Sequence, residues 1–166
     1  MKVVEEESGN LVITDFDEME AYRIACKIEE DGIEFYKRLA DKIIIDKTKQ
    51  IIAFLLSQEE KHLKFFLECL SRLREKKEDL SEEIDLLSSM DYGIFQPYQS
   101  IAELDNILNQ PRRALKLGIV IENNSIKFYA ACKNNISSQE AKKRVALIIL
   151  EETKHREILE DALNHL

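Results

Sequence analysis

The sequence is poor in helix breakers, with four glycines and two prolines in 166 positions, as expected of a chain that lies mostly in helices. It holds three cysteines, Cys26, Cys69 and Cys132, widely spaced and without a Cys-x-x-Cys pair. That argues against a disulfide framework and against a cysteine-bound zinc or iron site, and it fits reduced thiols in a cytoplasm. No 18-residue apolar run occurs, so no membrane span is expected. The first 14 residues carry Glu5, Glu6 and Glu7 instead of the apolar run of a signal peptide. Basic residues number 24 against 32 acidic ones, a net charge of -8, and no dense Lys/Arg block appears. A nucleic-acid platform and an anionic membrane surface are thereby disfavoured.

What is present suits one folded domain over residues 1–166, with 45% hydrophobic residues and enough length for a real core. The N-terminal segment reads as irregular, with a short strand at Leu11–Ile13. Thr14 followed by Asp17 is a plausible start for a first helix over about 15–43. A short connection leads to a second helix over about 48–77, which makes the two antiparallel neighbours. Residues 80–110 break the periodicity and include Pro97, with short helical pieces expected at Ser81–Ser89 and Ile101–Leu108. Some thirty residues far exceed a tight turn and can carry the chain from one end of a bundle to the other. Pro111 suits the first turn of a third helix reaching about Asn134. Ser137 with Glu140 has the spacing of a capping box for a fourth helix ending near Leu166. The expected fold is all-α: two antiparallel helix hairpins joined by one long crossover, the ferritin-like arrangement of a four-helix bundle.

Each of the four long helices carries polar residues where only apolar ones belong. The second helix has the core stripe Ile52, Leu55, Glu59, His62, Phe66, Cys69, Leu73. Ninety-three positions later the stripe is Val145, Ile148, Glu152, His155, Leu159, Ala162, Leu166. The same shift carries Tyr22, Ala25, Glu29, Gly32, Tyr36, Leu39 onto Leu115, Gly118, Glu122, Ser125, Tyr129, Cys132. A helix pair has been duplicated. The stripe of an amphipathic helix faces the core, and a buried charge is costly unless it is paired or bound to metal. A lone Glu in such a stripe is ordinarily an edge residue, and a lone core His is ordinarily hydrogen-bonded. Four Glu and two of the three His at duplicated core positions reverse that reading.

The set is a Glu from each of two helices and a Glu-x-x-His from each of the other two, the pattern of di-iron and di-manganese bundles. Four carboxylates neutralise two divalent cations. In this arrangement Glu59 and Glu152 bridge two ions, Glu29 and Glu122 each serve mainly one, and His62 and His155 complete the two positions. Carboxylate and imidazole donors suit iron, with manganese as the alternative.

On the motifs Glu29-x-x-Gly32-x-x-Phe35-Tyr36, Glu59-x-x-His62, Glu122-x-x-Ser125-x-x-Phe128-Tyr129 and Glu152-x-x-His155, residues 15–77 and 111–166 resemble the rubrerythrin branch of the ferritin-like family. The resemblance implies that Tyr36 and Tyr129 hydrogen-bond ligand carboxylates. It also implies that Glu151, and Gln58 as a neutral acceptor, orient the ligand histidines. Two departures stand out. Ser125 occupies the place of an additional family Glu, so the set resembles the more symmetric bacterioferritin-type site. The paired Cys-x-x-Cys motifs of a rubredoxin domain do not occur, so electrons are expected from an external donor such as a rubredoxin-type protein.

The resemblance implies a di-iron peroxidase or oxidase acting on hydrogen peroxide or dioxygen, cytoplasmic, with a homodimer as the default assembly. Iron storage and a scaffold with a structural metal are the competing readings. Cage ferritins usually add a helix after the fourth, and this sequence ends within the fourth, which sets storage behind the redox reading.

Overall fold

The computed structural model describes residues 2–5, 11–14, 17–75 and 101–166. A small antiparallel hairpin comes first, β1 at Lys2–Glu5 and β2 at Leu11–Thr14, in the register Val3↔Ile13 and Val4↔Val12. The sequence indicated β2 but not its partner, because Val3 and Val4 are too short a run beside Glu5, Glu6 and Glu7 to stand out.

Helix α1 spans Glu18–Lys42. Its start differs from the expected one: Thr14 ends β2, and Asp17 is the N-cap. Asp17 Oδ1 accepts from the Glu20 amide at 2.8 Å, and the Asp17 amide donates to Glu20 Oε2 at 2.9 Å, a reciprocal capping box. Helix α2 spans Asp46–Arg74, beginning two residues before the expected Thr48. Helix α3 is Ile101–Leu108, as anticipated, and the helical piece expected at Ser81–Ser89 lies outside the described residues. Helix α4, Pro111–Cys132, opens on its proline. Helix α5, Gln139–Asn164, is capped by Ser138, whose hydroxyl accepts from the Ala141 amide at 3.2 Å. The expected box of Ser137 and Glu140 is displaced by one residue, since the Ser137 hydroxyl donates to Glu18 Oε2 at 2.6 Å instead.

Helix α1 packs most extensively on α2, and α4 on α5; lesser contacts join α1 to α4, α2 to α5, and α3 to α1 and α4. Two apolar clusters fill the interior. One gathers Tyr22, Ile24, Phe66, Tyr129, Val145 and Ile148. The other gathers Phe35, Leu39, Leu55, Leu104, Leu115 and Leu159. Along α1 and α5 the chain passes from the first cluster to the second, and along α2 and α4 from the second to the first. The connection between α2 and α4 therefore begins and ends at opposite ends of the bundle, which is why it is long. The architecture is an all-α ferritin-like bundle with a short hairpin at its N-terminal side. Among the described residues no helix is long and apolar enough to cross a membrane.

Candidate metal centre

Between the two apolar clusters lies a layer of acid and imidazole. Glu29, Glu59, His62, Glu122, Glu152 and His155 are all buried, none more than 5% exposed. They sit there because each helix keeps its apolar stripe on both sides of the interruption, so packing of those stripes carries the polar residues inward. Two groups of donor atoms converge: Glu29, Glu59, His62 and Glu152 in one, and Glu59, Glu122, Glu152 and His155 in the other. Within each group one donor atom per residue lies within 4.8 Å of every other. Glu59 and Glu152 belong to both groups.

The histidines present the same nitrogen to this space. His62 Nδ1 is 3.0 Å from Glu152 Oε1 and 3.7 Å from Glu29 Oε2. His155 Nδ1 is 2.9 Å from Glu152 Oε2, 3.2 Å from Glu59 Oε1 and 3.8 Å from Glu122 Oε2. The rings lie nearly parallel, 19° apart, with centroids 5.8 Å apart. The tyrosines cross between the halves of the repeat. Tyr36 donates to Glu122 Oε1, and Tyr129 donates to Glu29 Oε1. Each phenol occupies one carboxylate oxygen and leaves the other facing the layer.

The electrostatics are those of charges crowded out of water. Burial, then the charge of Glu59, pushes the Glu29 carboxyl well up; burial, then Glu152, does the same to Glu122. Burial alone would lower both imidazoles. The adjoining carboxylates of Glu152 and Glu29 overcome it at His62, held up at about 11, and those of Glu152 and Glu59 overcome it at His155, at about 9. Burial would likewise raise Glu152, but the hydrogen bond from His155 and the adjoining imidazole of His62 bring it below the ordinary carboxylate range. Burial, followed by the adjoining carboxylate, raises the phenols of Tyr36 and Tyr129, so both keep their protons and act as donors.

Four buried polar atoms of this layer have no hydrogen-bond partner: Glu29 Oε2, Glu59 Oε1, His62 Nδ1 and Glu152 Oε1. His62 Nδ1 and Glu152 Oε1 are close, but not aligned for a hydrogen bond. Such orphans are rare and costly in folded proteins. All four belong to the converging sets, and a cation would give each a partner. The donor set fits a pair of divalent metal ions: four carboxylates balance the charge of two such ions, and oxygen with imidazole nitrogen suits iron or manganese.

The surroundings of the two histidines differ. His62 Nε2 is 3.0 Å from Glu151 Oε2, the contact that the family resemblance implies. The corresponding contact of Gln58 with His155 is not formed. The Gln58 amide instead lies along its own helix, 3.4 Å from Ser57 Oγ and 3.5 Å from Lys61 Nζ. Ser125, at the place of a further carboxylate, donates to the Ile121 carbonyl at 3.1 Å and so turns away from the layer. A Cβ on Gly32 would lie 3.4 Å from Glu59 Oε2, so the small residue lets Glu59 pack against α1. Gly118 is a packing position against Leu159 and Phe35. Arg144, described below, was missed by the sequence reading; it lies seven residues from Glu151 and belongs to no motif.

A family model described as Rubrerythrin matches residues 20–163. No curated protein and no solved structure matches the chain at a significant level.

Proposed function

The chain belongs to the rubrerythrin family, and from that premise we propose that it is a di-iron carboxylate oxidoreductase reducing hydrogen peroxide, dioxygen or both. The observation that carries this reading is the pair of four-residue donor sets sharing Glu59 and Glu152. In this reading Glu29 and His62 would hold one ion and Glu122 and His155 the other, with Glu59 and Glu152 available to both; manganese would suit the same donors. Two ferrous ions bound there would supply two electrons, which with two protons reduce hydrogen peroxide to two waters.

The protein's part is placement. Tyr36 and Tyr129 each hold one oxygen of a carboxylate that serves a single ion, which fixes where its other oxygen points. Glu151 accepts from His62 Nε2, which leaves the Nδ1 lone pair facing inward. The apolar clusters on either side keep bulk water from the layer. Turnover would draw on an external electron donor, a rubredoxin-type protein or another one-electron carrier. The buried free thiols of Cys26, Cys69 and Cys132 accord with a cytoplasmic setting, and a homodimer is the assembly we assign.

The test is anaerobic reconstitution with ferrous iron, then stopped-flow mixing with peroxide or dioxygen, followed by near-ultraviolet absorbance. Oxidation by peroxide within seconds is expected, with an appreciable reaction with dioxygen. Rates no faster than those of free ferrous ion with either oxidant would leave only a structural metal.

A further inference from the structure

Behind the ligands, the two halves of the repeat part company. The position 93 residues before Glu151 is Gln58, and the position 93 residues before Arg144 is Ile51. On the His62 side, Glu151 Oε2 lies 3.0 Å from Nε2, and the Arg144 guanidinium lies 3.4 and 3.5 Å from the two oxygens of that carboxylate. Arg144 is itself placed over the Phe65 ring, 6.0 Å from its centroid. A chain of charged contacts thus runs from a fully buried imidazole to two side chains about one-third exposed.

On the His155 side nothing replaces it. Among the described residues no hydrogen bond reaches His155 Nε2, and the Phe54 ring stands edge-on to the imidazole, 6.3 Å between centroids at 86°. Phe54 and Ile51, with Ile158 and Lys154, line an open groove of about 760 Å³. One imidazole is backed by a carboxylate fixed by an arginine, the other by an apolar ring at the edge of a groove.

We infer that the chain holds its two metal ions unequally. The position of Glu29, Glu59, Glu152 and His62 is the tight one. The position of Glu59, Glu122, Glu152 and His155 is the weak one and exchanges its ion on the Phe54 side. The inference rests on the metal-centre reading above. A carboxylate on the far nitrogen of a ligand histidine fixes the tautomer, orients the ring and makes the metal-facing nitrogen a better donor. Arg144 keeps that carboxylate in place. Behind its far nitrogen His155 has only the packing of Phe54. Loss of such a partner costs roughly 10- to 100-fold in metal affinity, and that is the expected gap between the two ions.

The experiment is anaerobic titration of the apo protein with Fe(II) by calorimetry, with a competing chelator to reach the tight step. The unaltered chain should bind in two steps separated by roughly 10- to 100-fold. His155→Ala should keep the first step and lose the second, whereas His62→Ala should lose the first. Glu151→Gln changes a partly exposed side chain and should leave the fold intact. It should bring the first step down toward the second while the metal-free protein stays helical and unfolds cooperatively. Loss of the same step in both histidine variants, or an unchanged gap in Glu151→Gln, would overturn the inference while leaving the metal centre standing. Absence of any binding to the unaltered chain would bring down both.

Discussion

The half of the molecule made by α1 and α2 and the half made by α4 and α5 agree closely where they face each other and differ where they do not. Glu29, Glu59, His62 and Tyr36 in one half stand opposite Glu122, Glu152, His155 and Tyr129 in the other, and the contacts cross between halves. Tyr36 holds Glu122 while Tyr129 holds Glu29, and each histidine meets the glutamate of the opposite Glu-x-x-His motif. One step outward the likeness is gone: Gln58 against Glu151, Ile51 against Arg144, Gly32 against Ser125. The matching residues are those whose buried charge has no other remedy than its partners or a cation. The unlike ones reach water, packing or their own helix, and there a duplicated sequence is free to drift.

The largest effect that would break this comparison comes from the residues shared by both donor sets. Glu59→Ala or Glu152→Ala should abolish binding of both ions, whereas Glu29→Ala or Glu122→Ala should weaken chiefly one. Metal analysis after equilibrium dialysis separates the two patterns. A Glu59→Ala protein that kept two ions with unchanged affinity would show that the halves do not share ligands.

Next in size is the effect of metal removal, and its sign depends on pH. In the metal-free protein His62 and His155 are held at about 11 and about 9, above the ordinary 6.5. The stability they contribute is fully present below about 6.5 and is lost as pH rises through 9 and then 11. Glu29 and Glu122, raised by burial, act in the same direction above the ordinary carboxylate range. Metal must displace these protons, so its affinity rises over the same interval. Metal in about hundredfold excess over its dissociation constant adds roughly 2.7 kcal/mol, about 5–10 °C in a chain of this length. The melting difference between loaded and metal-free protein should therefore widen from pH 6.5 to pH 9. A difference that narrowed, or was absent at both ends, would contradict the charge balance described for the layer.

Smaller, and equal in the two halves, should be the loss of a phenol. Tyr36→Phe and Tyr129→Phe each remove the donor from a buried carboxylate and should cost about 2 kcal/mol in the metal-free protein. Equilibrium urea unfolding measures both. A large difference between them would mean that the halves are unlike even where their residues match. The smallest effect is expected from Gln58→Glu, which makes the halves more alike behind the histidines. With Ile51 where the other half has Arg144, nothing fixes the new carboxylate, and the weak ion should gain less than about tenfold in the same calorimetric titration.

The sequence carried the bundle, its two hairpins and its long crossover because each helix is long and strictly periodic, and because the 93-residue repeat showed every interruption of the core twice. The six inward residues were legible for the same reason, and the part played by Tyr36 and Tyr129 through the resemblance to the rubrerythrin family. Local ends were less legible. Thr14 and Asp17, or Ser137 and Ser138, offer alternative caps at neighbouring positions, and only tertiary partners such as Glu18 decide between them. Glu151 was legible beside Glu152, while Gln58 was not, because an amide in a polar run has closer partners in Ser57 and Lys61. Arg144 depends on a two-turn reach to Glu151 that no spacing rule singles out.

The central claim is that two ions sit in one layer and share Glu59 and Glu152. Electron paramagnetic resonance of the protein saturated with Mn(II), with the bound metal counted in the same sample, tests it most directly. Two ions per chain with the spectrum of an exchange-coupled pair is the predicted result. One ion per chain, or two ions giving the six-line spectrum of isolated Mn(II), would contradict it.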